Sequence, residues 1–205
     1  MVDLLAEEYA KTNKPVIFLE QDTDDPIDRD RYRRWWAASD GGTVMLPLVM
    51  VDSGNQISSG WEDFQAKYSS MVDAALARPP QASISAVAQR VGNAFQFDIE
   101  VINLSGATLS YDNSATVFAI VYEEEATDGL TQRYVRATAS TMIPELASGA
   151  TGSFSLTTPP LNGVDWDKMH LAALVDYRPG GGLTAYDMLQ AALEVGTPPN
   201  RQKAI

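Results

Sequence analysis

The chain contains no cysteine and a single histidine, His170. The first absence excludes disulfides, thiolate nucleophiles, cysteine zinc sites and any redox pair within these 205 residues. The second removes most histidine-based metal and triad chemistry. No apolar run approaches the roughly 20 residues that span a bilayer. The opening MVDLLAEEYAKTNK reads as an amphipathic helix without the basic head and long apolar stretch of a signal peptide, so an exported form would carry its signal upstream of Met1. Positive charge is scarce too. Fifteen Lys and Arg against 27 Asp and Glu give a net charge of −12, which argues against a nucleic-acid partner. Only Arg29, Arg31, Arg33 and Arg34 cluster, and acids flank them. What remains is ordinary globular composition, 45% hydrophobic and 20% charged, enough to bury a core in one large or two small domains.

The clearest change of pattern falls at Ala77-Arg78-Pro79-Pro80. Residues 1–78 are expected to form one domain, 79–196 a second, and 197–205 a polar tail. In the first, Leu4, Leu5, Glu8, Tyr9 and Lys11 predict a helix, and Lys14-Pro15 turns the chain into Val16-Ile17-Phe18-Leu19, which reads as a buried strand. A second helix is expected over Asp28 to Ala38. A strand over Leu46 to Asp52, a turn at Ser53-Gly54-Asn55 and a return strand over Gln56 to Ser59 follow, and a third helix runs from Trp61 to Leu76. The second domain reads as all β. Strands are expected at Ser83 to Gln89, Phe95 to Asn103, Thr116 to Glu123, Tyr134 to Ser140, Gly152 to Thr157, Lys168 to Tyr177 and Thr184 to Leu193. Phe95, Phe97, Ile99 and Val101 alternate with Gln96, Asp98 and Glu100, as a sheet with one wet face requires. Seven such strands point to an immunoglobulin-like β-sandwich.

Leu46-Pro47-Leu48-Val49-Met50-Val51-Asp52-Ser53-Gly54, then Gly60 and the Trp61 to Leu76 helix, resemble the C-terminal part of a thioredoxin-like domain over about 75 residues. The resemblance implies a cis peptide bond before Pro47, the one residue it singles out structurally. The N-terminal strand and Cys-x-x-Cys turn of that family do not precede Val2, so no redox role passes to any residue here. The domain order, together with Met188-Leu189-Gln190-Ala191, resembles the Omp28-related exported bacterial proteins. The expected fold class is therefore α+β and multidomain, an incomplete thioredoxin-like α/β domain followed by an all-β immunoglobulin-like sandwich. An extracytoplasmic location is implied by the resemblance alone. The absent strand also implies a gap between Val16–Leu19 and Leu48–Asp52, to be closed by direct pairing, by the Arg201 to Ile205 tail, or by strand exchange with a second copy.

Several clusters invite a chemical reading. Asp22, Asp24 and Asp25 are a calcium candidate, since a cation of this kind takes several oxygens from one turn. The segment lacks the EF-hand glycine and glutamate, and it reads chiefly as a solvated loop with acids at a helix N-terminus. Tyr32, Trp35, Trp36 and Trp61 form either a stacking surface for carbohydrate or, more in keeping with their helical spacing, a core face on which one of the two adjacent tryptophans is less buried. His170 lies near Asp165 and Asp167, but no nucleophile stands beside it, and it reads as a solvent-facing or locally bonded strand residue. Glu123-Glu124-Glu125 reads as a charged strand end that discourages edge pairing. No catalytic, cofactor-binding or metal residue is assigned with these sites.

The expected function is that of a non-enzymatic, extracytoplasmic binding or assembly protein, with a protein partner or self-association and no cofactor. Two alternatives stand beside it: a fragment of a thiol-disulfide oxidoreductase whose cysteines lie upstream of residue 1, and a carbohydrate-binding module.

Overall fold

The structure is a computed structural model and describes residues 2–21, 27, 29–39, 42–60, 64–180, 184–192 and 195. Asp22, Asp24, Asp25, Trp61 and the tail 197–205 lie outside the described residues. Three helices, α1 (Val2–Lys11), α2 (Arg29–Ser39) and α3 (Phe64–Leu76), share the N-terminal part with a hairpin of β1 (Leu48–Val51) and β2 (Gln56–Ser59). Nine further strands follow: β3 (Ala82–Val91), β4 (Ala94–Asn103), β5 (Leu109–Ser110), β6 (Thr116–Thr127), β7 (Leu130–Met142), β8 (Glu145–Leu146), β9 (Thr151–Thr157), β10 (Met169–Tyr177) and β11 (Asp187–Ala192).

One antiparallel sheet has the order β11-β10-β6-β7 and another the order β3-β4-β9. They face each other across one apolar core. Phe97, Ile99 and Val101 from β4 meet Val117, Ala119 and Val121 from β6 and Leu171, Ala173 and Val175 from β10. The period of two along each strand puts these residues on one face and their neighbours on the other. On β4 the alternate residues Asp98 and Glu100 are exposed, giving the three-stranded sheet a wet outer face. On β6 and β10 the alternate residues Phe118, Ile120 and Leu174 are buried as well. The outer face of the four-stranded sheet is therefore covered, and the N-terminal part covers it: Trp35 of α2, with Leu19 and Met50, packs on Phe118, Ile120, Val135, Leu174 and Tyr186.

The expected fold class is corrected here. The chain is mostly β, built from several antiparallel sheets, and is not a thioredoxin-like α/β domain followed by an immunoglobulin-like domain. The described N-terminal strands form only the antiparallel β1-β2 hairpin, and Val16–Leu19 is not a strand. It runs extended between two apolar clusters. Val16 and Phe18 pack with Leu5, Tyr9, Tyr68, Met71 and Val72 of α1 and α3, whereas Leu19 joins the sheet-facing cluster. Partial burial against both clusters gives the apolar signature of a core strand, yet the chain makes only an isolated parallel bridge, Glu20 to Tyr134 on β7. The gap that the thioredoxin topology implied, and the strand exchange argued from it, fall with that topology. The Leu46–Pro47 bond is cis.

Candidate functional site: an apolar cleft under the N-terminal layer

The N-terminal layer is fastened over the four-stranded sheet at three places. At β7, Glu20 donates its amide to the Arg133 carbonyl at 2.7 Å and accepts from the Val135 amide at 3.1 Å. At β10, Asp176 takes a hydrogen bond from Trp35 Nε1 at 2.7 Å and an ion pair from Arg34 at 2.9 Å. At β11, Arg78 bridges Asp187 and Asp52, the latter at 2.8 Å. Each joint has a local cause. The period of two along β10 puts Asp176 on the same outer face as Ala172 and Leu174, toward α2, and the β10–β11 register shifts between Val175 and Asp176.

The turn after β1 sets Asp52 under Arg78. Asp52, Ser53 and Gly54 all have positive φ, at 59°, 60° and 82°, a conformation costly for residues with a Cβ unless the surroundings hold it. Here Ser39 of α2 donates to the Gly54 carbonyl at 2.7 Å. A Cβ at Gly54 would lie 3.0 Å from that of Trp35, so only glycine lets the turn approach the helix this closely.

Buried carboxylates recur at these joints. Burial pushes Asp176 up to about 6, although Arg34 and Trp35 favour its charged form. Burial likewise raises Asp52 to about 6, against the opposing pull of Arg78 and with a further push from Asp187. Glu20 rises to about 7, through burial and then through the charge of Asp3 and its hydrogen bond to that residue.

Among these fastenings lies a cleft of about 2380 Å³. Its floor is the outer face of the sheet, with Ile120 and Tyr122 on β6, Ala172 on β10 and Met188 on β11. Its roof comprises the extended 15–19 segment, Trp36, Leu46 to Met50 and the inner face of α3. Ala172 stands opposite Ile120 in the β10–β6 ladder. From His170 to Asp176 the strand rises roughly 20 Å. Charged groups near the His170 end are tied together: Arg133 pairs with Glu124 at 2.8 Å, and His170 lies 3.4 Å from the same carboxylate and stacks on Tyr122. An apolar trough with polar groups at its margins suits an apolar ligand.

The sequence-singled residues are distributed unevenly. Trp35 and Trp36 are both buried, at 7% and 8% exposure, which corrects the expectation that one would be the more open. Their indole N–H groups go to Asp176 and to the Gly42 carbonyl. His170 is half-exposed on its strand and faces Glu124. Asp165 is engaged elsewhere, accepting from the Asp167 amide. Glu123 is buried and paired with Arg136 at 2.7 Å, so the triplet is only partly a solvated strand end. Missed from sequence were Arg34, Asp52, Arg78, Asp176 and Asp187. The one signal for them was an aspartate inside the apolar run Leu171 to Tyr177, since a charge there needs a buried partner.

No family model matches the chain, and no curated protein matches it. Among solved structures it is similar to the GH20 exo β-N-acetylglucosaminidase of Vibrio harveyi, at 13% identity over 60% of this chain and 19% of that one, with a TM-score of 0.32. It is similar to the sporulation control protein Spo0M of Bacillus subtilis, at 17% identity over 58% and 51% of the two chains, with a TM-score of 0.31. A third likeness is to the E. coli curli protein CsgC, at 11% identity over 58% and 99%, with a TM-score of 0.27. The chain thus spans about a fifth of the first and half of the second. Likenesses this slight decide nothing about fold or function. Among the described residues no helix is long and apolar enough to cross a membrane.

Proposed function

We propose that the chain is a non-catalytic binding protein that holds an apolar ligand in the cleft between its N-terminal layer and the four-stranded sheet. The observation that supports the reading is the cleft itself: an apolar floor and roof joined at β7, β10 and β11. Binding there would remove apolar surface of both ligand and cleft from water, the main favourable contribution for ligands of this kind. The charged groups at the joints are mutually satisfied and serve to fix the layers, which leaves the trough as the part free to accept a guest.

The test uses the neutral apolar dye N-phenyl-1-naphthylamine. Saturable uptake by the native chain, lost in Ala172→Trp, is the expected result. Circular dichroism on the variant establishes that the fold persists, and Ala172→Phe serves if the tryptophan disrupts it. No saturable uptake, or uptake unchanged in a folded floor variant, overturns the reading.

A further inference from the structure

Resting on the cleft reading, the geometry points to a ligand class: a soluble single-chain amphiphile with an anionic head, its tail in the trough and its head at Arg33 of α2. Three observations carry this. The chain as a whole is strongly acidic, yet bases slightly outnumber acids among the residues lining the cleft. Most of those bases are occupied. Lys14 pairs with Asp73 at 2.7 Å, Arg78 with Asp52 and Asp187, and Arg133 with Glu124, while Arg31 lies over the Trp35 ring at 4.8 Å. Arg33 lines the cleft, is exposed, and has no acidic partner among the described residues.

The surroundings of Arg33 supply the second half of an amphiphile site. Trp36 lies one helical turn further along α2 and donates its indole N–H to the Gly42 carbonyl at 3.1 Å. This fixes the chain just before Val44, Met45 and Leu46, three consecutive apolar residues that are 42%, 61% and 53% exposed. Val44 and Leu46 line the cleft. An exposed apolar lip and a guanidinium without an acidic partner among the described residues, both lining one cleft, match a molecule whose alkyl chain passes over the lip while its carboxylate makes charge-assisted hydrogen bonds to the arginine. The lining acids are poorer attractors. Asp52 and Glu124 are already paired with arginines, and Glu20 is hydrogen-bonded with Asp3. The Asp3–Glu20 pair is where a cationic head would go instead, so the sign of the preferred head is a sharp test.

The experiment measures displacement of N-phenyl-1-naphthylamine from the full chain by dodecanoate, dodecanol and dodecyltrimethylammonium, all below their micellar concentrations. Dodecanoate is expected to compete at concentrations about tenfold below the ammonium compound, with Arg33→Gln closing most of that gap and Arg33→Lys retaining most of it. Equal competition by all three overturns the head assignment but leaves the cleft reading standing, as does a preference for the cation. Dye uptake that no alkyl chain displaces overturns the tail placement. An absence of dye uptake removes the cleft reading itself. Sedimentation with anionic phospholipid vesicles separates the sources: binding to vesicles without competition by free dodecanoate overturns the soluble ligand in favour of a membrane surface.

Discussion

Trp35 Nε1 donates a 2.7 Å hydrogen bond to Asp176, a carboxylate with no solvent exposure that also pairs with Arg34. Two neighbouring residues of α2 thus converge on one buried acid of β10, and this contact fastens a helix to the outer face of the sheet. Arg34 extends the joint to the Ser114 carbonyl at 2.7 Å and the Thr116 hydroxyl at 3.0 Å. Asp176→Ala leaves a guanidinium and an indole N–H without their buried acceptor. Urea denaturation is expected to show a loss of about 3–5 kcal/mol, with Trp35→Phe costing about 1–3 kcal/mol. An Asp176→Ala variant as stable as the parent would show that this contact does not hold the layers together.

The approach of the β1–β2 turn to α2 rests on Gly54. Its positive φ and the 3.0 Å spacing between an added Cβ and that of Trp35 both oppose a side chain. Gly54→Ala is expected to destabilise by about 1–3 kcal/mol, whereas Gly129→Ala, also at positive φ but with nothing near its added Cβ, carries only the backbone part of the cost. Thermal melts of the two variants side by side measure the contribution of the close approach.

Acidification is expected to stabilise the fold over part of the pH range. Asp52 and Asp176 at about 6 and Glu20 at about 7 hold their protons more tightly in the folded chain than when unfolded. Their contribution is fully present below the ordinary carboxylate range and is lost as pH rises through 6 to 7. Unfolding free energies measured at pH 5 and pH 8 should favour pH 5, by on the order of 1 kcal/mol per group after screening. Asp52→Asn and Glu20→Gln should each flatten the profile. Stability that rises steadily from pH 5 to pH 8 contradicts the assignment.

The β strands were legible because their pattern is local. Phe97, Ile99 and Val101 alternate with exposed acids, and the expected strand from Phe95 to Asn103 lies within β4 as observed. The helices at Val2–Lys11 and Arg29–Ser39 were legible through their apolar spacing and flanking acids. Val16–Leu19 misled for a physical reason. Burial on two sides writes the same apolar run whether the neighbours are strands or a sheet face and a helix pair, and hydrogen-bond partners leave no mark in composition. The thioredoxin-like resemblance rested instead on Leu46 to Gly54, Gly60 and the helix after them, a local hairpin-and-helix pattern that does not specify a parallel sheet. The cleft was not legible, since its floor and roof come from segments far apart in sequence, with β6 and β10 lying beneath a layer folded back from the N-terminal part. Asp52, Arg78 and Asp187 are likewise separated in sequence and meet only after that layer is placed.

The most direct test of the binding account is methyl NMR of the native chain titrated with N-phenyl-1-naphthylamine, which locates the guest independently of its head group. The account predicts saturable shifts of the Ile120, Ala172 and Met188 methyl groups on the cleft floor, with Val87 and Val91, exposed on the other sheet, unmoved. Shifts confined to Val87 and Val91, or none at saturating dye, would contradict it.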